Sequence, residues 1–235
     1  MPLTKSKGNM YPWVTHVHTH LGGECLHKCK YCYVRAMAKR FPSTMAKRYS
    51  GPIRIMPGEL DVNYGKGKTI FIEHLNDLFA EGVPEKAIEK ILSHCARFSF
   101  ATKYVFQTKN PQAYMKWDTE WLSLDCLLGT TIETNRAELL SGNAPSPISR
   151  YAGICKTSTW ADTFITVEPI LDFDLDVFSE MLIAAEPDFV NIGADSKGHG
   201  LIEPSAKDIN DLIAILQSAG VEIRQKRNLE RLLKV

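Results

Sequence analysis

The chain has 235 residues, 44% of them hydrophobic and 23% charged, with a formal net charge of +1. These are the proportions of an ordinary soluble globular protein, long enough to bury a substantial core in one large domain or two small ones. No apolar run reaches the roughly 18 residues of a membrane span, and MPLTKSKGNMYPW at the start lacks the apolar segment of a secretory signal, so a cytoplasmic protein is expected.

WVTHVHTH (13–20) predicts a first strand, and the stretch from about 32 to 48 a helix. TIFIEH (69–74) is a β-branched strand. VPEKAIEKILSHCARF (83–98) follows as a helix entered at Pro84, with apolar positions at 87, 88, 91, 92 and 95. YVFQTK (104–109) predicts a strand closed by Asn110-Pro111. LLGTTIET (127–134) predicts another, then a helical stretch interrupted by the loop SGNAPSPIS (141–149). TFITVEPIL (163–171) and DFVNIG (188–193) read as strands separated by the helix DLDVFSEMLIAAE (174–186). SAKDINDLIAILQSAG (205–220) is a helix capped by Ser205 and stopped by Gly220, and VEIRQ (221–225) a last short strand.

Some six β-then-α units and a final strand result. Nearly continuous apolar strands alternating with amphipathic helices imply an α/β fold with a parallel sheet, either doubly wound or a complete or partial barrel. No repeat or low-complexity linker divides the chain, so one domain over 1–235 is expected, with 1–12 as a lead-in and 221–235 as a closing strand and helix. In either architecture the working face lies at the C-terminal ends of the strands. Glu73-His74, Gln107–Lys109, Glu133–Asn135, Glu168 and Asp195 all fall at or just past strand ends, which predicts one polar pocket ringed by loops.

Charge is uneven along the chain. Residues 1–58 hold ten Lys or Arg against Glu24 alone, a balance of +9, so the remainder sums to −8. The basic residues Lys28, Lys30, Arg35, Lys39, Arg40, Lys47, Arg48 and Arg54 cluster in an acid-free stretch over 25–58. Such a field favours an anionic partner, nucleic acid being the large one, or is simply a solvated helix face.

CLHKCKYC (25–32) sets Cys25, Cys29 and Cys32 at C-x3-C-x2-C spacing just after the first strand. Three is an odd number and the expected compartment is reducing, which disfavours disulfides. A structural zinc site would need a fourth ligand, from His27 or His20. An iron–sulfur cluster would use the three thiolates and leave one iron open. Cys95, Cys126 and Cys155 are scattered in apolar surroundings and are expected to be small buried hydrophobes.

With Tyr31 just before the last cysteine, the loop after strand one resembles the radical S-adenosylmethionine (SAM) superfamily. The resemblance implies a (β/α)6 partial, TIM-like barrel of mainly parallel strands and a [4Fe–4S] cluster held by Cys25, Cys29 and Cys32. It also implies S-adenosyl-L-methionine on the fourth iron, and reductive cleavage giving a 5′-deoxyadenosyl radical that abstracts hydrogen from the substrate. A reductant such as flavodoxin or ferredoxin is implied as a partner. YPWVTH, GGECLHKCKYCYVRA, FIEHLNDLF, FQTKN, TIETN, VEPIL and NIGADS are together similar to a family of small radical-SAM proteins common in phages and prophages. That family is distantly related to spore photoproduct lyase, which repairs a thymine dimer in DNA. Carried across, Tyr31 matches the aromatic near the adenine, and Lys109 a lysine that meets the SAM carboxylate, where a cation is needed. Thr131, Glu133 and Asn135 fall where the ribose and methionine parts are contacted. Asn76 and Asp77 fall where the amino group is held, although the usual GGE of that position is absent. Glu168 and Asp195 are candidate substrate contacts, proton-transfer groups or SAM ligands. No position matches the hydrogen-donor cysteine of the lyase, so dimer repair by its route is not implied.

HVHTH places His16, His18 and His20 at period two, hence on one strand face, expected to line the barrel interior beside the cluster. A rival from another class is a metal-dependent hydrolase on a TIM-like barrel, using His16, His18, His20, Glu133 and Asp195 around a water-activating ion. Within the radical-SAM reading the expected substrate is a nucleic-acid base or nucleotide, in particular a phage DNA base undergoing modification. A peptide or protein substrate is the alternative, and a cluster-bearing scaffold or DNA-binding module without turnover the non-catalytic one. IRQKRNLERLLKV is expected to pack as an amphipathic terminal helix that closes the barrel's open side.

Overall fold

The computed structural model describes residues 3–234, so the first two residues of the lead-in and the last of the closing segment lie outside it. In chain order the strands are β1 (Thr4–Lys5), β2 (His16–His18), β3 (Leu21–Gly22), β4 (Arg54–Ile55), β5 (Lys68–Ile72), β6 (Thr102–Thr108), β7 (Cys126–Thr131), β8 (Thr163–Val167), β9 (Phe189–Ile192) and β10 (Glu222–Gln225). The helices are α1 (Tyr33–Arg40), α2 (Lys47–Tyr49), α3 (Glu85–Ala96), α4 (Asp118–Trp121), α5 (Pro147–Ser158), α6 (Leu175–Ala184), α7 (Ala206–Ser218) and α8 (Glu230–Leu233).

Eight strands form one sheet in the order β1-β2-β5-β6-β7-β8-β9-β10, and β3 and β4 form a separate ribbon. From β2 to β10 every neighbouring pair is parallel; β1 alone runs antiparallel, at the edge. Spatial order equals chain order because each crossover returns the chain to the next parallel position. The seven parallel strands are those predicted. Among the described residues no helix is long and apolar enough to cross a membrane.

The helix predicted over about 32 to 48 is broken. Proline has no N–H and disfavours helical backbone in the residue before it. Accordingly, Phe41 leaves the helix (φ −125°, ψ 68°) ahead of Pro42, and a π turn over Pro42–Ala46 separates α1 from α2. The Ser205 signal holds, its Oγ accepting from Asp208 N to cap α7; the loop read over 141–149 ends earlier, because Ser146 Oγ accepts from Ser149 N to cap α5, where Pro147 is the first helical residue.

The sheet buries both faces. Ile70, Ile72, Tyr104, Phe106 and Leu128 pack against Ile88, Ile91 and Leu92 of α3, while Ile165, Val167, Val190 and Ile192 pack against α6 and α7. The opposite, inner face carries Val17, Phe71, Val105, Leu127, Phe164 and Phe189, covered by Tyr11 of the lead-in and by Trp13, which lies ahead of β2. Register then corrects an expectation about the histidines. His16 pairs with Ile70 and His18 with Ile72, and residues directly opposite share a face. His16 and His18 therefore lie on the helix-covered side, and it is Val17 that points inward.

Cys95 is fully buried, as expected of a small hydrophobe, whereas Cys126 and Cys155 are only partly so. The C-terminal segment adds β10 to the sheet edge beside β9. α8 is a single short turn with no buried residue of its own, rather than an amphipathic helix; Leu229, just before it, supplies the anchor.

Candidate functional site

The cysteine loop is shaped by close backbone contacts. Gly23 has φ +98°, and a Cβ there would lie 2.3 Å from Pro52 O, so only glycine fits the crossing. Lys28, at φ 52°, turns the chain between Cys25 and Cys29. Cys32 N donates to Cys29 O at 3.2 Å, and Cys32 is the N-cap of α1, where the helix dipole favours an anionic sulfur. The SGNAPSPIS loop buttresses this turn from outside: Asn143 N donates to His27 O at 2.7 Å and Asn143 Nδ2 to Leu26 O at 3.1 Å. A Cβ at Gly142 (φ +104°) would come within 2.3 Å of His27 O.

All three cysteines border one cavity of about 610 Å³ at the C-terminal ends of the inner strands. Tyr31, Asn76, Asp77, Lys109, Thr131, Glu168 and Asp195 border it too. That volume is typical of small-molecule sites. Burial, and then the charge of Asp77, pushes the Cys25 thiol up to about 12, and burial raises Cys29. Thiols so placed ionise only against a strong positive charge such as a metal's. A closed zinc site would take its fourth ligand from His27 or His20, but His27 Nε2 is 2.8 Å from Asp77 Oδ2 and His20 lies under α3 against Tyr64 and His94, whereas an iron–sulfur cluster needs only the three thiolates. Among the three readings, the three-thiolate donor set fits the cluster.

Behind Tyr31 and Lys109 lies Glu133, fully buried. The Tyr31 hydroxyl and the Lys109 ammonium both donate to its Oε1, and Arg150 Nη1 donates to Oε2 at 2.6 Å and to Thr131 O at 3.0 Å. Burial pushes this carboxyl up, but Lys109 and Arg150 outweigh it and hold the group down at about 2. Glu133 is thus an ionised anchor for two cations and a phenol, and is not itself at the cavity wall. Lys109 sits 5.2 Å from the Tyr31 ring centroid, within cation–π range.

Asp77 accepts from His27 Nε2 (2.8 Å), Thr108 Oγ1 (2.7 Å), Lys109 N (2.8 Å) and Phe79 N (3.0 Å). Four donors fill a carboxylate's lone-pair sites, so Asp77 ties the cysteine loop to the end of β6. Asn76 Nδ2 donates to Gly23 O at 3.0 Å, a second tie to the same loop. Thr131 Oγ1 accepts from Gln107 Nε2 at 2.7 Å, and Gln107 Oε1 accepts from the Tyr11 hydroxyl at 2.7 Å, forming a polar floor. Asn135 is not brought into the cavity. It exchanges hydrogen bonds of 3.0 Å with Asp174 at the entrance to α6.

Glu168 accepts from Asn9 Nδ2 (2.7 Å), Lys226 Nζ (2.7 Å) and Asn228 Nδ2 (2.8 Å) at the cavity edge. Asp195 instead folds its own loop, accepting from Lys197 N at 3.0 Å and His199 Nδ1 at 2.7 Å. The hydrolase arrangement does not form: His18 and His20 lie under α3, Glu133 in its ion pairs and Asp195 on His199. Sequence reasoning missed Arg150, Tyr11, Asn9 and Lys226. Arg150 sits three residues past Pro147 and four before Ile154 on the buried stripe of α5, and a cation in an apolar stripe is the signal for it. Lys226 directly follows the last strand, where the strand-end rule applies.

A family model matches residues 13–200. The chain belongs to that family, described as "Protein of unknown function (DUF5131)". No curated protein matches the sequence. In fold it is similar to spore photoproduct lyase, with TM-score 0.66 and 12% identity over 94% of this chain and 80% of the lyase. A spore photoproduct lyase complexed with dinucleoside spore photoproduct gives TM-score 0.63 at 12% identity, over 94% of this chain and 80% of that one. Streptococcus suis SuiB bound to precursor peptide SuiA gives 0.54 at 9% identity, over 89% of this chain and 48% of SuiB. Both neighbours are radical SAM enzymes, and the mixed α/β fold with a mainly parallel sheet is shared with them. None of Cys95, Cys126 or Cys155 borders the cavity.

Proposed function

We propose that the chain is a single-domain radical SAM enzyme, its sheet forming the partial (β/α)6 barrel of that class, with Cys25, Cys29 and Cys32 holding a [4Fe–4S] cluster. The observation that carries this reading is three cysteines on one strand-end loop, Cys29 buried and Cys25 and Cys32 partly so, facing a small-molecule-sized cavity. When bound, the cluster supplies the electron for reductive cleavage of S-adenosyl-L-methionine. This chain's residues supply the rest. Lys109, oriented by Glu133, offers a cation to a carboxylate, and Tyr31 an aromatic ring to the adenine. The Gln107–Thr131 pair offers polar atoms to a ribose. Asn76 and Asp77, which tie the cysteine loop to its neighbours, would hold the cofactor's amino group. Glu168, at the cavity edge beside Lys226, is the substrate-side carboxylate.

The proposed substrate is a nucleic-acid base or nucleotide, with modification of phage DNA bases as the specific form. Lys5, Lys7 and Lys197 are exposed where the lead-in and the 195–199 loop border the cavity. Lys28, Lys30, Lys39, Arg40 and Lys47 are exposed on the cysteine-loop side, with Tyr33 and Phe41 about 39% and 44% exposed among them. Cations interleaved with exposed aromatics suit phosphates and stacked bases. Arg48, by contrast, is occupied with Glu59 at 2.8 Å, and Arg54 with the backbone carbonyls of Ser50 and Pro52. A cytoplasmic reductant such as flavodoxin or ferredoxin completes the scheme. The test is turnover with deuterated DNA. Deuterium appearing in 5′-deoxyadenosine supports a nucleic-acid substrate, and its appearance only with a deuterated peptide or protein would replace that class.

A further inference from the structure

Under α3, on the helix-covered side of the sheet, a second set of ligand-type side chains converges. His18, His20, His94 and Tyr64 are 3%, 0%, 2% and 0% exposed. One nitrogen from each histidine lies within 4.8 Å of the others. The Tyr64 hydroxyl is 2.7 Å from His18 Nδ1 and 2.9 Å from His20 Nε2, and His20 Nε2 is 2.9 Å from His94 Nδ1.

The outward nitrogens are each held by an oxygen. His18 Nε2 is 3.0 Å from Glu59 Oε2, His20 Nδ1 is 2.7 Å from Glu73 Oε1, and His94 Nε2 is 2.9 Å from Val62 O. A carbonyl only accepts, so His94 carries its proton on Nε2 and turns a lone pair inward. With ionised carboxylates the same holds for His18 and His20. Three inward lone pairs then face one phenol bearing a single proton, and the His20–His94 contact sets two lone pairs against each other. Histidines whose second nitrogen donates to a carboxylate or carbonyl are the usual arrangement of metal-binding imidazoles.

We propose that His18 Nδ1, His20 Nε2, His94 Nδ1 and the Tyr64 oxygen hold one divalent first-row metal ion, zinc by ligand type, in a closed structural site. Imidazole nitrogen suits zinc, and a sealed four-ligand set is the form of structural rather than catalytic zinc. Bonds of about 2.0–2.1 Å would set the ligand atoms about 3.3 Å apart, so the site opens by a few tenths of an ångström to take the ion. The ion would clamp the end of β2, the segment around Tyr64 and α3, which are far apart in sequence. Burial lowers His18, His20 and His94 to about 4, 3 and 4, which disfavours filling the gap by protonating an imidazole. The competing arrangement has one proton on Glu73, which would reverse His20 and let it donate to His94. Burial raises Glu73 to about 7 although the backbone N–H groups of His20 (2.7 Å) and Leu21 (3.3 Å) favour its ionised form, so the two arrangements compete near neutral pH and the metal count decides between them.

This site does not depend on the chemistry of the cysteine cavity, and the experiment keeps the two apart. Full-length protein carrying Cys25→Ala, Cys29→Ala and Cys32→Ala is purified, stripped with chelator and supplied with Zn²⁺ or Co²⁺. Bound metal is counted by mass spectrometry and the cobalt form read by visible absorption. The expected result is roughly one zinc per chain, with cobalt ligand-field bands and no thiolate charge-transfer band. Adding His94→Gln or Tyr64→Phe should weaken zinc binding at least tenfold while circular dichroism stays that of the parent. Two outcomes would overturn the proposal: a folded triple-cysteine variant that takes up neither ion, or metal retained undiminished when His94 and Tyr64 are both replaced. The first would leave the proton on Glu73 as the filling.

Discussion

The thiols of Cys25, Cys29 and Cys32 and the imidazoles of His18 and His20 come from one short stretch of chain, yet they serve opposite sides of the sheet. The sulfurs border an open cavity and have Lys109 and Arg150 close behind them, locked by Glu133. The nitrogens are sealed under α3 within 4.8 Å of one another, backed by Glu59, Glu73 and a carbonyl. Openness, the three-thiolate donor set and nearby cations make the first a place for a cluster and an anionic cofactor. Closure and tight convergence make the second a staple. Alternation along β2 explains how neighbouring residues reach both, since Val17 and His18 point to opposite faces.

The largest expected effect separates the two sets outright. Cys29→Ala should abolish iron and sulfide binding and all SAM cleavage, while zinc bound under α3 persists; loss of both metals together would mean that the regions are one site. Next in size is Glu133→Gln, which leaves Lys109 and Arg150 without their carboxylate. Breaking a buried ion pair costs about 3–5 kcal/mol, to be read as a shift of the denaturant midpoint at constant slope.

That same carboxylate gives the mouth a pH signature. Glu133 is held down at about 2 in the fold against an ordinary 4.5. Its stabilisation is therefore complete above about pH 4.5 and is lost as pH falls from there towards 2. The loss amounts to about 3 kcal/mol at about 1.4 kcal/mol per unit. Unfolding free energies across that window should converge for wild type and Glu133→Gln at the acid end; parallel curves would deny the ion pairing. The smallest effect concerns the rim. Replacing Lys39, Arg40 and Lys47 by Ala should flatten the salt dependence of DNA binding, measured by fluorescence anisotropy. The log–log slope should fall by about 0.9 for each phosphate that these side chains neutralise.

Much of this was legible in the sequence because periodicity and strand ends are local signals. The seven parallel strands, the cap at Ser205 and the placing of Glu73, Lys109, Glu168 and Asp195 around one cavity follow from them, whereas Tyr31 and Thr131 come from the family resemblance. Other features depend on tertiary partners. Period two put His16 and His18 on one face but could not say which, and the register with Ile70 and Ile72 decided it. Asn135 obeys the strand-end rule, yet Asp174 captures it. Glu133 is expected to meet the cofactor directly but lies behind the cavity wall and holds Tyr31 and Lys109, while Asp77 borders the cavity with its oxygens occupied by four donors. His94 lies on the buried stripe of α3, three residues beyond Ile91, where a polar residue among apolar ones was the available signal.

The central claim is that three thiols and a neighbouring cation make a site for reductive SAM cleavage. The direct measurement is anaerobic reconstitution with iron and sulfide, followed by dithionite and S-adenosyl-L-methionine, with chromatography of the products. The expected outcome is 5′-deoxyadenosine and methionine in equal amounts, absent from Cys29→Ala. A protein that assembles an iron–sulfur cluster and releases neither would contradict the account.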